Sequence, residues 1–172
     1  DVETGSVVNA WETGQAVSHQ LIPTPDDAKL YIANIGSGSV TVITRVTGEV
    51  VSIPTGAGAE GIDISPDGSE VWVTNRGADT VSVIDVTTDE VTASFASGGS
   101  FPIRARFTPD GSEVWTYYRE FDHHTAGGNR PVTRTRTRPE ASVSTHPASP
   151  VRYQRRPPTS TKRSAVRSGS SR

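Results

Sequence analysis

Ser65-Pro66-Asp67-Gly68-Ser69-Glu70-Val71-Trp72-Val73-Thr74-Asn75, followed by Thr80-Val81-Ser82-Val83-Ile84-Asp85, reads as a tight turn and two strands. Pro66 presets φ for the second turn position, Asp67 suits the third, and Gly68 accepts positive φ at the exit. The flanking runs are rich in Val, Ile, Thr and Trp and are bounded by Gly, Asp and Asn, which is strand composition. The same turn stands at Thr24-Pro25-Asp26-Asp27, 41 residues earlier, and at Thr108-Pro109-Asp110-Gly111, 43 residues later. Asp27 replaces Gly in the first copy, and Asp is among the few residues that tolerate the left-handed region.

Between the first two copies the alignment needs no gap. Leu30-Tyr31-Ile32-Ala33-Asn34 matches Val71-Trp72-Val73-Thr74-Asn75, and Ser39-Val40-Thr41-Val42-Ile43 matches Thr80-Val81-Ser82-Val83-Ile84. Thr47-Gly48-Glu49-Val50 matches Thr88-Asp89-Glu90-Val91, and Asp1-Val2-Glu3-Thr4-Gly5 resembles the same turn from one repeat earlier. The clearest copy predicts strands over 61–65, 70–75, 80–86 and 90–95. No stretch carries a 3.6-residue apolar period, so almost no helix is expected. Four antiparallel strands per repeat of about 40 residues make one blade of a β-propeller. Strands apolar on both sides, such as Val71-Trp72-Val73, fit blades covered on both faces. A β-sandwich would suit the turn signals but not the long, regular period.

The expected fold class is therefore all-β: a partial β-propeller of about three four-stranded antiparallel blades over residues 1–120, with repeats near 1–41, 42–84 and 85–120. Three blades do not close a ring, since propellers typically have four to eight. The repeat thus predicts further blades at both ends, or a partner that closes the ring. The Pro-Asp-Gly turn, the strand ending Val73-Thr74-Asn75 and the strand Thr80–Asp85 together resemble the YVTN-repeat family of surface and periplasmic propellers. The resemblance implies an extracellular, cell-surface or periplasmic protein, and its relatives include lactonase-like and quinoprotein-associated propellers. Departures are Ile43-Thr44-Arg45, which lacks the Asp found at Asp85, and Thr116-Tyr117-Tyr118, which stands where Val-Thr-Asn is expected.

Composition divides the 172 residues in two. Residues 1–120 hold 17 Asp/Glu against 6 Lys/Arg, while residues 121–172 hold 2 against 11. The second part has no Leu, Ile or Trp and is dominated by Arg, Pro, Ser and Thr, as in Thr133-Arg134-Thr135-Arg136-Thr137-Arg138. Such a segment buries too little apolar surface to offset its chain entropy, so a disordered basic tail is expected. Three origins compete for it: out-of-frame translation of a GC-rich gene, a basic linker or wall-binding segment, and a nucleic-acid-binding arm. With Tyr153 as the one aromatic beyond Phe121, base stacking is poorly served and no nucleic-acid partner is expected. The chain has no Cys, which excludes disulfides and thiol chemistry, and no Met. No apolar run is long enough to span a membrane and no signal peptide is visible. Nucleotide-loop, zincin, nucleophile-elbow and EF-hand motifs are absent.

In a propeller, ligands meet the face carrying the loop between the second and third strands and the link joining successive blades. Here those are 34–39, 75–80, 8–18, 52–59 and 96–102. The residues that start each innermost strand line the mouth of the central channel. By alignment these are His19, Glu60 and Ile103, with Gln20, Gly61 and Arg104 beside them. His19 and Glu60 are the types that could share a metal, and Arg104 and Arg106 could clamp an anion. The plainer readings are a hydrated His and Glu, and arginines paired with nearby carboxylates. Trp72 and Trp115 hold equivalent positions and are expected to pack between blades, and Asn34 and Asn75 to end strands. His123-His124 falls in the tail, where neighbouring His side chains alone make no site. The ligand-binding candidates are thus His19, Glu60 and Arg104, with no catalytic residue, metal or cofactor assigned. Two functions follow: a non-enzymatic binding or structural module with a protein or cell-wall partner, or a fragment of a lactonase-like or quinoprotein-associated enzyme acting at the channel mouth.

Overall fold

The computed structural model describes residues 1–119 and the backbone of 133–136. The described residues are all-β, in three antiparallel sheets. The first joins β1 (Ser18–Pro23), β2 (Lys29–Asn34), β3 (Ser39–Thr44) and β4 (Glu49–Pro54) in sequence order. The second joins β5 (Ala59–Ile64), β6 (Glu70–Asn75), β7 (Thr80–Asp85) and β8 (Glu90–Ala96) in the same way. The third contains β9 (Pro102–Phe107), β10 (Glu113–Tyr118) and β11 (Thr133–Arg136), in the order β11-β10-β9. The sheets begin 41 and then 43 residues apart, the same spacing as the Pro-Asp turns.

Each Pro-Asp turn is held by side chains as well as by backbone. The hydroxyls of Thr24, Ser65 and Thr108 each donate to the carboxylate two residues on, at 2.6 Å in all three. The same carboxylates accept the N–H groups of Ala28, Ser69 and Ser112 at 3.0–3.1 Å. The same hydroxyls accept the N–H that opens the next strand, from Lys29, Glu70 and Glu113. Asp27, Gly68 and Gly111 take φ of 60°, 71° and 66° at the exit. The recurring sequence is a compact hydrogen-bonded unit that fixes the register of each hairpin.

The sheets pack face to face, with β1 and β2 against β5, and β5 and β6 against β9. Tyr31, Ala33, Val40 and Val42 meet Ile62, Val71, Val73 and Ile84 in the first inter-sheet core. Trp72, Val81 and Val83 meet Ala105, Val114 and Phe107 in the second. Trp72 stacks edge-on against Phe95 of its own sheet at 5.5 Å and Phe107 of the next at 5.7 Å. Hence the central strands are apolar on both faces: each face is an interface. Tyr31, one repeat before Trp72, is covered in the same manner, and its hydroxyl donates to Asp89 in the turn between β7 and β8.

Two expectations change. Trp115 does not lie between sheets. It is 37% exposed, on the face of the third sheet that no described residue covers. The expected disordered tail contains a strand, because Thr133–Arg136 pairs with Glu113–Thr116 of β10. Alternating Thr supplies β propensity, and alternating Arg suits a strand at a sheet edge. The rest of the tail, His123-His124 included, lies outside the described residues. Among those described, no helix is long and apolar enough to cross a membrane.

Candidate functional site

All three innermost strands are entered in one way. Val17, Gly58 and Phe101 precede β1, β5 and β9 with φ of 56°, 74° and 58°. Left-handed backbone is costly for a β-branched residue such as Val17. Directly afterwards the ladder slips. Ser18 faces Asn34 but Gln20 faces Ala33, so His19 is bulged out. Ala59 faces Asn75 and the next paired residue is Ile62, which places Glu60 and Gly61 in the bulge. Pro102 faces Tyr118 while Arg104 faces Tyr117, which leaves Ile103 out. Bulges re-aim side chains away from a ladder, and here they act on the residues the alignment places at the channel mouth.

The second bulge shows what holds the inner strands together. The Gly61 N–H donates to the Thr74 hydroxyl at 2.9 Å, replacing a lost ladder bond. A Cβ on Gly61 would come within 2.7 Å of the Ile103 carbonyl oxygen and still closer to the Arg104 Cα. Only glycine lets β5 approach β9 this closely. The Ile62 N–H reaches Gln20 at 3.4 Å, and the Phe107 N–H donates to Asp63 at 2.8 Å, so side chains stitch neighbouring sheets at this level. Arg106 joins the same buried Asp63 at 3.4 Å.

The structure places the three candidates on adjacent strands but gives them different surroundings. His19 is exposed on β1 and Arg104 is exposed on β9. The Glu60 side chain is 13% exposed and forms an ion pair with Arg76 at 2.8 Å. Sequence reasoning missed Arg76, although it stands in the 75–80 loop read as a ligand-facing element. Its guanidinium also lies 5.1 Å from the Phe101 ring centroid, and the Phe101 N–H donates to Asp79 at 2.6 Å. Arg76 therefore pins Glu60 to the entry of β9. Among the described residues no three His, Cys, Asp or Glu side chains group as a metal site.

On the face of the 34–39 loop and the 52–59 link lies an open groove of about 480 Å³, lined by Gly36, Ser37, Gly38 and Pro54 through Gly58. Beneath it, a Cβ on Gly56 would sit 2.8 Å from the Asn75 side-chain carbon. The Asn75 amide donates to Thr80 and Ser82 at 3.0 and 2.9 Å, but its buried Oδ1 accepts no hydrogen bond. In the first sheet the equivalent Asn34 Oδ1 accepts from Ser18 at 2.8 Å. The second sheet has Ala59 in the place of Ser18, which leaves the oxygen unsatisfied.

No protein-family profile matches the chain, and no curated protein does. Solved structures do. Hydrazine synthase of Kuenenia stuttgartiensis superposes with a TM-score of 0.56 at 26% identity, over 66% of this chain and 32% of that one. U3-55K superposes at 0.52 with 14% identity, over 60% of this chain and 33% of that one. A functionally unknown protein from Desulfotomaculum acetoxidans gives 0.50 with 14% identity, over 67% of this chain and 41% of that one. The chain therefore spans about a third of the length of the first two. What it shares with these β-rich proteins is a propeller-like arrangement of repeated four-stranded sheets.

Proposed function

We propose that this chain is a YVTN-type propeller segment of a cell-surface or periplasmic protein, and that it serves as a non-enzymatic binding or structural module. Its mechanism is rigid presentation of loops on a repeat scaffold, toward a protein or cell-wall partner. The observation that carries this reading is the pairing of Glu60 with Arg76. The carboxylate nearest the channel mouth is committed to holding β9 in place, where a catalytic acid, base or metal ligand would need to be free. The groove above Asn75, walled by backbone and small side chains, is a surface for contact rather than for bond-making.

The second reading, a lactonase-like or quinoprotein-associated enzyme fragment, draws on the repeated bulges that bring His19, Glu60 and Ile103 to one level. Calorimetric titration with Zn²⁺ and Ca²⁺ separates the two. The module reading expects no tight binding. Tight binding abolished by His19→Ala would overturn it in favour of the enzyme. Location is tested separately, by fractionating cells and detecting the blades with an antibody: recovery in the cytoplasm alone would defeat the surface assignment.

A further inference from the structure

Residues 1–17 form no strand among the described residues, yet they reproduce both ends of a connection seen twice within the chain. Asp1 accepts hydrogen bonds from the Thr4 N–H and hydroxyl, both at 2.8 Å, as Asp85 does from Thr88 at 3.0 and 3.4 Å. Gly5 takes φ of 66° where Gly48 and Asp89 take 72° and 57°. This is the turn between a third and a fourth strand. At the other end, the Ile35 and Gly36 N–H groups donate to the carbonyls of Val17 and Ala16 at 2.9 and 3.0 Å. Arg76 and Gly77 donate to Gly58 and Ala57 at 3.0 and 2.9 Å, the same docking one sheet later. Between the two anchors, Ser6-Val7-Val8 matches Glu49-Val50-Val51 of β4. Val7 and Val8 are 86% and 76% exposed. A fourth strand is thus present with its turn and its link, but without a sheet.

The third sheet is the complement. It has β9, β10 and β11, and the outer edge of β11 is open among the described residues. Its far face presents Trp115 and Tyr117, 37% and 38% exposed, at a level where Tyr31 and Trp72 are buried by the following sheet. Within one chain the second sheet stands between the free strand and this incomplete sheet.

We propose that two copies of this chain associate head to tail. In each, residues 6–11 add to the outer edge of β11 in the other copy as its fourth strand, and the first sheet of the donor covers Trp115 and Tyr117. The inference rests on the propeller reading of the repeat. Charge complements it: residues 1–17 contain Asp1, Glu3 and Glu12 with no Lys or Arg, whereas Arg104 and Arg106 are exposed on the receiving sheet. Strand addition satisfies backbone groups along an open edge. Two such joints give six blades, inside the usual range for a closed propeller, and a head-to-tail joint that closes recruits no further copies.

Light scattering after size exclusion on the 172-residue chain tests this, with an expected mass of about twice 18.3 kDa. Deleting residues 1–11 should give a monomer. So should the double substitution Val7→Pro/Val8→Pro, which removes two N–H donors and leaves the described sheets untouched. Both variants should keep the β-sheet circular dichroism of the parent. A monomeric parent overturns the proposal while leaving the propeller reading intact. Open-ended polymers overturn the closed ring, and a dimer that survives both variants overturns the strand exchange.

Discussion

Asn75 shows how one substitution between repeats changes the balance at a single atom. Its counterpart Asn34 has every polar atom of its side chain satisfied, because Ser18 donates to the oxygen. Ala59 cannot do the same, and an unsatisfied buried acceptor costs about 1–3 kcal/mol. Ala59→Ser restores the hydroxyl on the same strand position and is expected to raise stability by about 0.5–1.5 kcal/mol. The urea midpoint measures this, and a fall instead would mean the buried site has no room for the added oxygen. The turn carboxylates carry the pH dependence. Hydrogen bonds to Asp110, first from the Thr108 hydroxyl and then from Ser112, hold its pKa at about 2 against an ordinary 3.8. Asp26 is lowered too, first by the Thr24 hydroxyl and then by the Ala28 N–H. A depressed carboxylate stabilises the fold above its unfolded value, and that contribution is lost as pH falls toward the folded one. The acid limb from these two turns therefore lies below pH 3.8. Carboxyl NMR titration of Asp110 should show a midpoint near 2 that moves back toward 3.8 in Thr108→Ala. An unmoved midpoint would show that the hydroxyl is not the cause. These effects are local, and the Thr/Ser-Pro-Asp spelling disclosed them before any fold was known. The orphan oxygen of Asn75 was not disclosed, because it depends on which residue lies opposite across a bulge.

Strands and turns were legible because each is encoded by contacts within about 20 residues. The strand expected over 70–75 is β6 as found, and the one over 90–95 is β8 but for its last residue. The innermost strands were placed less well: 61–65 was read where β5 runs from Ala59 to Ile64. The reason is physical. The start of β5 is defined by a left-handed Gly58 and a bulge, and Thr74 completes its bonding from a different strand. β11 was missed outright, since its partner β10 lies across a long connection and its Arg content reads as solvent-loving. Contacts between a turn and the neighbouring sheet were equally invisible. The clearest is the clamp at Asp89, which takes a hydrogen bond from the Lys29 ammonium at 2.7 Å and another from Tyr31. Burial first, and then the bond to Asp89, push the Tyr31 phenol up from 10.0. A raised phenol favours the neutral hydroxyl in the fold, so the Tyr31 contribution is intact below pH 10.0 and declines as pH rises beyond it. Asp89→Gly keeps the positive φ of 57° without strain while removing both bonds. It should cost about 1–3 kcal/mol, read from chemical denaturation. A neutral result would mean that water replaces the carboxylate at no loss, and that packing alone joins the first two sheets.

At the scale of the molecule, the repeat predicts burial only where a next repeat follows. Trp72 and Trp115 are the same residue in the same strand position, and sequence alone assigned them the same role. They differ because Trp72 lies 1% exposed under Phe107 of the following sheet, while Trp115 is 37% exposed. The candidate site obeys the same logic: His19, Glu60 and Ile103 could be placed from the period, whereas the Arg76 partner of Glu60 could not, because its side chain reaches between sheets. Truncating the two tryptophans should therefore separate folding from assembly. Trp72→Ala removes a fully buried ring between two sheets and should cost about 3–5 kcal/mol. The loss should appear in the denaturant midpoint at every protein concentration. Trp115→Ala should scarcely change the midpoint measured at dilutions where the chain is monomeric. Exchange between copies buries this ring, so the same variant should weaken self-association roughly tenfold or more, about 1.4 kcal/mol. Dilution series followed by light scattering give that constant. A Trp115→Ala chain that unfolds as readily as Trp72→Ala would mean that the far face of the third sheet is already covered within the monomer, and the two tryptophans would then be equivalent in fact as they are in sequence.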